Sequence, residues 1–387
     1  MTKSNNIPVW EDESWVGLPT LETDLECDVC VVGLGGSGLS AITELLEHKR
    51  SVIGLDAGMV AGRAAGRNGG FLLAGFAPFY HNLVKLVGGD VAKALYKLTV
   101  EQINRMQMQT PEAVRRVGSL RLGLTSDELE DCGLHLKALQ DDGFTAEAYE
   151  GQEGVGLLIP TDGAFQPLKR CRILAGKASK RKARLFENSA VSEIKQLGDT
   201  LEVVTPRGTV RCSHVIVAVD GKLEQILPEL SGRVRSARLQ MLATAPTREV
   251  RILRPVYARW GMEYWQQLED GSITVGGFRD AGGTAEWTKD SKPSRIVQEK
   301  LEHFLRTHIG VNAEITHRWA ANVSYTDSQL PIAEEIRPRV WTLGAYNGTG
   351  NVVGALLGRA IAERIARGQS KVLDVFQQAV SPRPDDA

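Results

Sequence analysis

Long apolar runs are missing from this chain: glycine or a charged residue interrupts every hydrophobic segment within about ten residues, short of the roughly 18 that a membrane-crossing helix needs. No membrane span is expected. An excess of one charge sign is missing too, since 46 Lys and Arg face 47 Asp and Glu. The charges are interspersed, which leaves no single-sign surface for nucleic acid or anionic lipid. The expected partner is therefore a small molecule. Residues 1–15 are polar and acidic and lack the basic start, apolar stretch and small-residue site of a secretory signal. A soluble, cytoplasmic protein is the expectation.

Cysteine is scarce. Cys27, Cys30, Cys132, Cys171 and Cys212 are an odd number scattered along the chain, which suits a reducing compartment better than a disulfide framework. Cys27 and Cys30 have C-x-x-C spacing, but no second pair completes a zinc site, and strand alternation sends the two thiols to opposite faces. An inert pair and no metal are expected. The seven His show no metal spacing, and no Ser sits at a nucleophile elbow, so metallohydrolase and serine hydrolase chemistry lack support.

What is present is enough chain for two domains, 387 residues, with no repeat or low-complexity tract. An apolar strand at 28–32, a glycine turn, a helix at 36–48 and a strand at 51–56 read as a βαβ opening to a parallel sheet. Apolar residues at helical spacing over 89–117 predict one or two helices outside that sheet. Strands are expected at 184–191, 201–204 and 214–219. Residues 235–316 are aromatic-rich and alternating, the texture of an antiparallel sheet. A strand at 341–343 and a helix at 351–365 return the chain to the first domain. The expected division is a discontinuous nucleotide domain at 25–85, 150–230 and 317–375, and a substrate domain at 86–149 and 231–316. Residues 1–24 form an N-terminal extension and 379–387 a flexible tail.

Gly33-Leu-Gly35-Gly36-Ser37-Gly38 fits G-x-G-x-x-G, a weak signal alone. Here it follows an apolar strand, opens a helix, and is followed by a second strand ending on Asp56, near the offset that a ribose contact requires. The glycines allow a tight turn and close backbone approach to pyrophosphate, whose charge the helix N-terminus favours. Asp56 is followed by Ala57-Gly58 with no immediate cation for a 2′-phosphate, so an ADP moiety is expected rather than NADP. NAD and FAD share that half and stay undecided by the fingerprint. Residues 62–71 then bring a second glycine-rich loop, with Arg67, Asn68, Gly69, Gly70 and Phe71, able to follow a bulky cofactor closely.

Arg67-Asn68-Gly69-Gly70 after such an opening resembles the D-amino-acid-oxidase-type FAD oxidoreductases, in particular their gamma-glutamylputrescine oxidoreductase-like branch. The likeness extends to the early Trp10 to Trp15 segment, Glu187 to Val191, and the strand end at Val219-Asp220-Gly221. It continues through Arg318-Trp319, Thr326-Asp327, Pro331-Ile332, and the final loop Gly344 to Asn351. Ala65 replaces a family Ser, Asp220 interrupts the usual Ala-Thr-Asn-Gly, and Asn347 and Thr349 alter the usual Gly-His-Gly. The resemblance implies an α/β fold with a glutathione-reductase-like Rossmann domain and a second α+β domain on an antiparallel sheet. It also implies noncovalent FAD held by the fingerprint, the 67–71 loop, Val191, Gly221, and Gly348, Thr349, Gly350, Asn351 and Val352. The helix opening near Asn351 would stabilise negative charge on a reduced flavin.

The resemblance places substrate between the nucleotide domain and the 235–316 sheet. Candidate lining residues there are Tyr257, Arg259, Trp260, Tyr264, Trp265, Phe278 and Arg279, with Tyr257, Trp260 and Arg279 the foremost for the reaction. Aromatic rings would wall the site and an Arg would grip a carboxylate. Oxidation of a C–N bond in an amine or amino acid by hydride transfer to flavin N5, with hydrolysis of the imine, is the expected chemistry. Oxygen or another acceptor takes the electrons. Sarcosine oxidases carry a lysine near the position of Thr274, so oxidase and dehydrogenase both stay open. The alternatives are a flavin monooxygenase, whose Gly-Asp signature is Gly344-Ala345 here, and a non-catalytic dinucleotide-binding protein.

Overall fold

A computed structural model describes residues 6–11 and 14–381. Its first sheet has a parallel core of Arg184–Phe186, Val52–Leu55, Leu25–Val32, Thr209–Val217 and Val340–Gly344. Glu193–Leu197, Thr200–Val204 and Ile332–Arg337 add antiparallel edges. The opening strand is apolar on both faces because helices cover one side and a second cluster around Leu201, Val203 and Val215 covers the other. The strand expected over 184–191 stops at Phe186, because Asn188 takes a left-handed φ of 49° and turns the chain back onto Asp56 and Gly58. The strand expected at 214–219 is Thr209–Val217.

One sequence argument fails here. Asp28 N and Val29 N both donate to Ser51 O at 3.2 Å, a bulge that breaks the alternation. Cys27 and Cys30 therefore meet the same apolar cluster, together with Cys212, which is the register partner of Cys27. Hydrogen bonding to Cys212 and burial push the Cys27 thiol well above its ordinary range.

Helix Gly36–Glu47 lies against the later helix Gly350–Arg367 with almost no gap. A Cβ at Gly354 would stand 2.4 Å from Ser37 Oγ, and one at Gly358 would stand 2.3 Å from Ser37 O. Beside them pack Tyr80–Val87, Gly89–Gln109 and Ser126–Asp141. The helical stretch expected to reach Val117 ends at Gln109, before Pro111, and Val114 instead enters a two-residue strand, Val114–Arg115. Ala379 and Val380, expected in the flexible tail, close helix Lys371–Val380. Ser381 follows as the C-cap, and the rest of that expected tail, 382–387, lies outside the described residues.

The second sheet runs Ile315–Tyr325, Arg235–Thr244, Ile273–Gly277, Glu263–Gln267, Val256–Ala258, Ser119–Gly123, Gly154–Ile159, Glu147–Gly151. All neighbours are antiparallel except Val256–Ala258 with Ser119–Gly123. Three of its strands thus come from before residue 160, and Ile315–Tyr325 extends it well past residue 316. Its register sets one row of residues across one face: Arg121, Tyr257, Tyr264, Gly276, Met241 and Trp319. That row faces the glycine loops of the first sheet.

Candidate active site

The fingerprint turn is built on steric necessity. Gly33 has φ 105°, and a Cβ there would come 2.6 Å from Ala218 O; a Cβ on Gly38 would come 1.9 Å from Gly33 O. Gly36 is different, since a Cβ there meets nothing within 4 Å. Gly35 precedes the helix without any side-chain cap, so the first-turn N–H groups keep their capacity for an anion. Ser37 turns its hydroxyl away from that end, accepting from Tyr346 Oη at 2.8 Å.

Asp56 accepts from Leu34 N at 2.8 Å and Gly58 N at 2.9 Å. Burial raises its carboxyl above the usual range against those amides. Ala57 beside it is exposed, and Val191 is half-buried in the segment that follows Ser189, whose N–H donates to Asp56 O. Gly221 packs against Ile315–Tyr325, where a Cβ would come 2.6 Å from Asn322 O.

The 67–71 loop faces the cavity with its backbone, while its polar side chains turn into the protein. Arg67 donates to Ala320 O at 2.9 Å and to both Asn6 oxygens at 2.6 Å. Burial lowers its pKa to about 10. Asn68 Nδ2 donates to Ala64 O and Ala65 O, and Asn68 Oδ1 accepts from Gly70 N at 2.8 Å and Asn351 Nδ2 at 3.1 Å. Asn351 also donates to Phe71 O at 3.0 Å. The two loops that sequence analysis singled out, some 280 residues apart, are therefore fastened to each other. Trp10 Nε1 donates to Asn68 O at 2.7 Å and Trp319 Nε1 to Arg67 O at 2.8 Å.

The final loop uses left-handed backbone at Ala345, Asn347 and Gly348, with φ of 53°, 53° and 86°. Asn tolerates that conformation, and Asn347 Oδ1 accepts from Thr326 N at 2.9 Å. Asp220, the departure at the strand end, accepts from Ala345 N at 2.8 Å and Ser324 N at 3.2 Å. Removal from solvent raises its pKa to about 6. Thr349 bonds back to Tyr346 O, and helix Gly350–Arg367 begins without a side-chain cap.

Between these loops and the second sheet lies a cavity of about 590 Å³. Residues 67–69 and 71 line it from one side, together with Gly348, Thr349, Asn351 and Val352. The glycine approaches, the two uncapped helix starts and this cavity fit a bulky dinucleotide cofactor with a planar end in the cavity. Tyr257, Arg259, Trp260, Tyr264 and Arg279 line it from the sheet side. Trp265 and Phe278 do not: they pack with Phe304 on the opposite face. Trp265 follows Tyr264 and alternation sends it there. Phe278 is redirected by its own positive φ of 55° after Gly277 at 127°. Tyr264 leans over Gly276 toward Gly69, whose Cβ would lie 3.2 Å from the ring. Trp260, 51% exposed, stands at the rim and donates to Asp131 Oδ2 at 2.7 Å.

Arg235, Trp287 and Tyr325 also belong to this wall and were not among the residues expected there. Arg279 lies 4.6 Å from the Trp287 ring and 5.2 Å from the Tyr325 ring, and Arg235 lies 4.2 Å from Trp287. Neither Arg forms an ion pair among the described residues. At the other end, Tyr96, Arg121 and His135 line the cavity from the 86–149 segment, in which no candidate lining residue was expected. The signal available was a polar or aromatic residue set into each apolar pattern.

Comparison with known proteins agrees with this geometry. The family described as FAD dependent oxidoreductase matches residues 28–364. The chain is 27% identical to gamma-glutamylputrescine oxidoreductase of Escherichia coli, covering 92% of this chain and 87% of that protein. It is 25% identical to the probable oxidoreductase OrdL of Rhizobium meliloti, covering 94% and 88%. Among solved structures, L-proline dehydrogenase from P. horikoshii superposes with a TM-score of 0.75 at 18% identity, covering 90% of this chain and 96% of that one. Glycine oxidase from Geobacillus kaustophilus gives 0.74 at 19%, with the same coverage. The fold of those structures, a Rossmann-like parallel sheet with a mostly antiparallel second sheet, is the fold found here. A match that runs through both sheets, from the opening strand into the last long helix, makes this chain a member of the DAO family of FAD-dependent oxidoreductases.

Proposed function

We propose that this enzyme oxidises the C–N bond of an amine or amino acid. The carrying observation is Arg279: a guanidinium on the cavity wall, stacked against Trp287 and Tyr325, with no ion-pair partner among the described residues. A planar fork held this way suits a substrate carboxylate. The names of the relatives, which act on a glutamylated diamine, proline or glycine, support the same class. When bound, FAD supplies the acceptor for the two electrons and hydrogen leaving the substrate carbon.

The chain's own part is placement. Tyr264 and Tyr257 form an apolar wall in register on one face, holding the substrate carbon against the 67–71 loop, while Arg279 orients it from the side of Tyr325. Tyr325 lies near the final loop, 3.7 Å from where a Gly348 Cβ would stand. Release of an imine, to which water adds with loss of the amine, needs no further catalytic base. Among the described residues no cysteine lines the cavity, which supports noncovalent FAD. Thr274, where related oxidases place a lysine, is fully buried in its strand, and no lysine lines the cavity among the described residues. Oxygen or another acceptor then reoxidises the enzyme. Anaerobic mixing of the yellow holoenzyme with a panel of amines and amino acids tests this: bleaching of the flavin by at least one of them is expected. Bleaching by NADPH and by none of the panel would overturn it in favour of a monooxygenase.

A further inference from the structure

We propose that the cavity holds a second recognition pocket, at the end formed by Arg121, Tyr96 and His135, for an uncharged carbonyl-bearing group, above all an amide, at the far end of an elongated amine. The proposal rests on the amine-oxidising reading and names the part of the substrate remote from the reacting bond.

Position comes from sheet register. Arg121 pairs with Tyr257 and Tyr257 with Tyr264, so Arg121 stands two strand spacings, about 10 Å, from the ring that leans over the flavin loop. The Arg121 guanidinium lies 5.1 Å from the Tyr257 ring centre, which continues the wall from the reacting region into this end.

Charge comes from Asp162. Arg121 is 4% exposed and Asp162 0%. Arg121 Nη2 donates to Asp162 Oδ2 at 3.1 Å and Arg121 Nη1 to Ser119 Oγ at 2.7 Å, while Ser119 Oγ and Ala74 N also donate to Asp162. The pair is closed within the wall, unlike Arg279 and Arg235. A carboxylate entering here would bring an unbalanced buried charge, and an ammonium would face a guanidinium and hydrogen-bond donors, so both are disfavoured.

Hydrogen-bonding capacity comes from two orphaned groups. His135 is 5% exposed, and its Nδ1 accepts from Tyr80 N at 2.9 Å, which leaves the proton on Nε2. Among the described residues that Nε2–H has no acceptor, and Tyr96 Oη, on a residue 2% exposed, has no partner either. A buried donor left unmade is costly, and two of them beside a guanidinium ask for an acceptor oxygen. Phe79, 4.5 Å from the His135 ring, and Phe144, 4.5 Å from Tyr96, make the surroundings apolar, which suits a neutral group.

The test titrates oxidised holoenzyme with 6-aminohexanamide and with hexylamine, following the perturbation of the flavin spectrum, and repeats both for Tyr96→Phe and His135→Asn. Asn keeps an acceptor near the Nδ1 position and lacks the Nε2–H. The amide is expected to bind about tenfold more tightly in the wild type, and each variant to cut that ratio by roughly threefold or more at unchanged flavin content and melting temperature. Equal affinities in the wild type, or a ratio that survives both variants, would overturn the pocket. Anaerobic flavin reduction is recorded on the same samples. If neither these amines nor any of the panel of amines and amino acids bleaches the flavin while the ratio behaves as expected, the pocket stands and the amine-oxidising reading falls. The variants alter different helices, so failure of one to hold flavin leaves the other to decide.

Discussion

The two sides of the cavity are made of different material. On the cofactor side the work is done by backbone, by glycines whose missing Cβ lets chains touch, and by amides such as Asn68 and Asn351 that bond to the protein itself. On the substrate side it is done by side chains from five strands whose register brings Arg121, Tyr257 and Tyr264 into one row. The first kind of surface is written in short stretches of sequence, and the second in the pairing of distant ones.

The sharpest way to break that comparison is within the fingerprint itself. Gly38→Ala places a Cβ 1.9 Å from Gly33 O, against backbone that cannot give way, and complete loss of flavin from the purified protein is expected. Gly36→Ala, two residues away, places its Cβ in open space; flavin content and affinity within about twofold of wild type are expected, well under 1 kcal/mol. Absorbance of the purified variants and flavin titration of the apoprotein measure both. Equal loss in the two variants would mean that close approach to Gly33 O is not what sets Gly38 apart from Gly36.

This contrast explains what the sequence made legible. The βαβ opening, the ADP side and both glycine loops were readable because a turn that needs glycine declares itself locally. The bulge at Asp28 was not, since it depends on which amides reach Ser51 O, and it overturned the reasoning on Cys27 and Cys30. Alternation alone separates Tyr264 from Trp265, yet both were grouped together because the aromatic cluster was read as a composition. Arg121 was invisible as a site residue because its strand joins the sheet by a parallel pairing across more than 130 positions, Arg121 to Tyr257. Arg67 shows a second thing the local pattern hides. A cation in a cofactor loop reads as a ligand contact, and nothing local tells that the same side chain, at the cavity wall, also holds the N-terminal segment through Asn6.

On the substrate side, Arg279→Lys keeps the charge and removes the fork and the stacking on Trp287. Affinity for amino-acid substrates is expected to weaken by roughly ten- to a hundredfold, about 1.4–2.7 kcal/mol, with a smaller change for amines that lack a carboxylate. The reductive half-reaction, followed under anaerobic conditions, separates substrate affinity from the limiting rate. Equal effects on both substrate groups would remove Arg279 from carboxylate recognition.

The smallest expected effect compares two carboxylates. Asp220, on the cofactor side, sits at about 6 with its oxygens engaged by backbone amides. Glu263, in the second sheet, is pushed up to about 7 by burial, which outweighs the Arg259 guanidinium bonded to Oε1 at 2.7 Å, and its Oε2 has no partner among the described residues. Because its folded pKa lies above the ordinary value of 4.5, the folded state holds the proton more tightly than the unfolded chain. The stabilisation from that proton is full below about pH 4.5, is lost as pH rises through about 7, and changes no further above it. Glu263→Gln stays neutral and still offers Arg259 an acceptor. The variant is expected to melt less steeply with pH between about 4.5 and 7 than wild type, and to gain about 1 kcal/mol relative to it above pH 7. Thermal unfolding across that range measures the slope. Parallel profiles for variant and wild type would show that Glu263 is already ionised at the lower pH, with Arg259 rather than burial governing it.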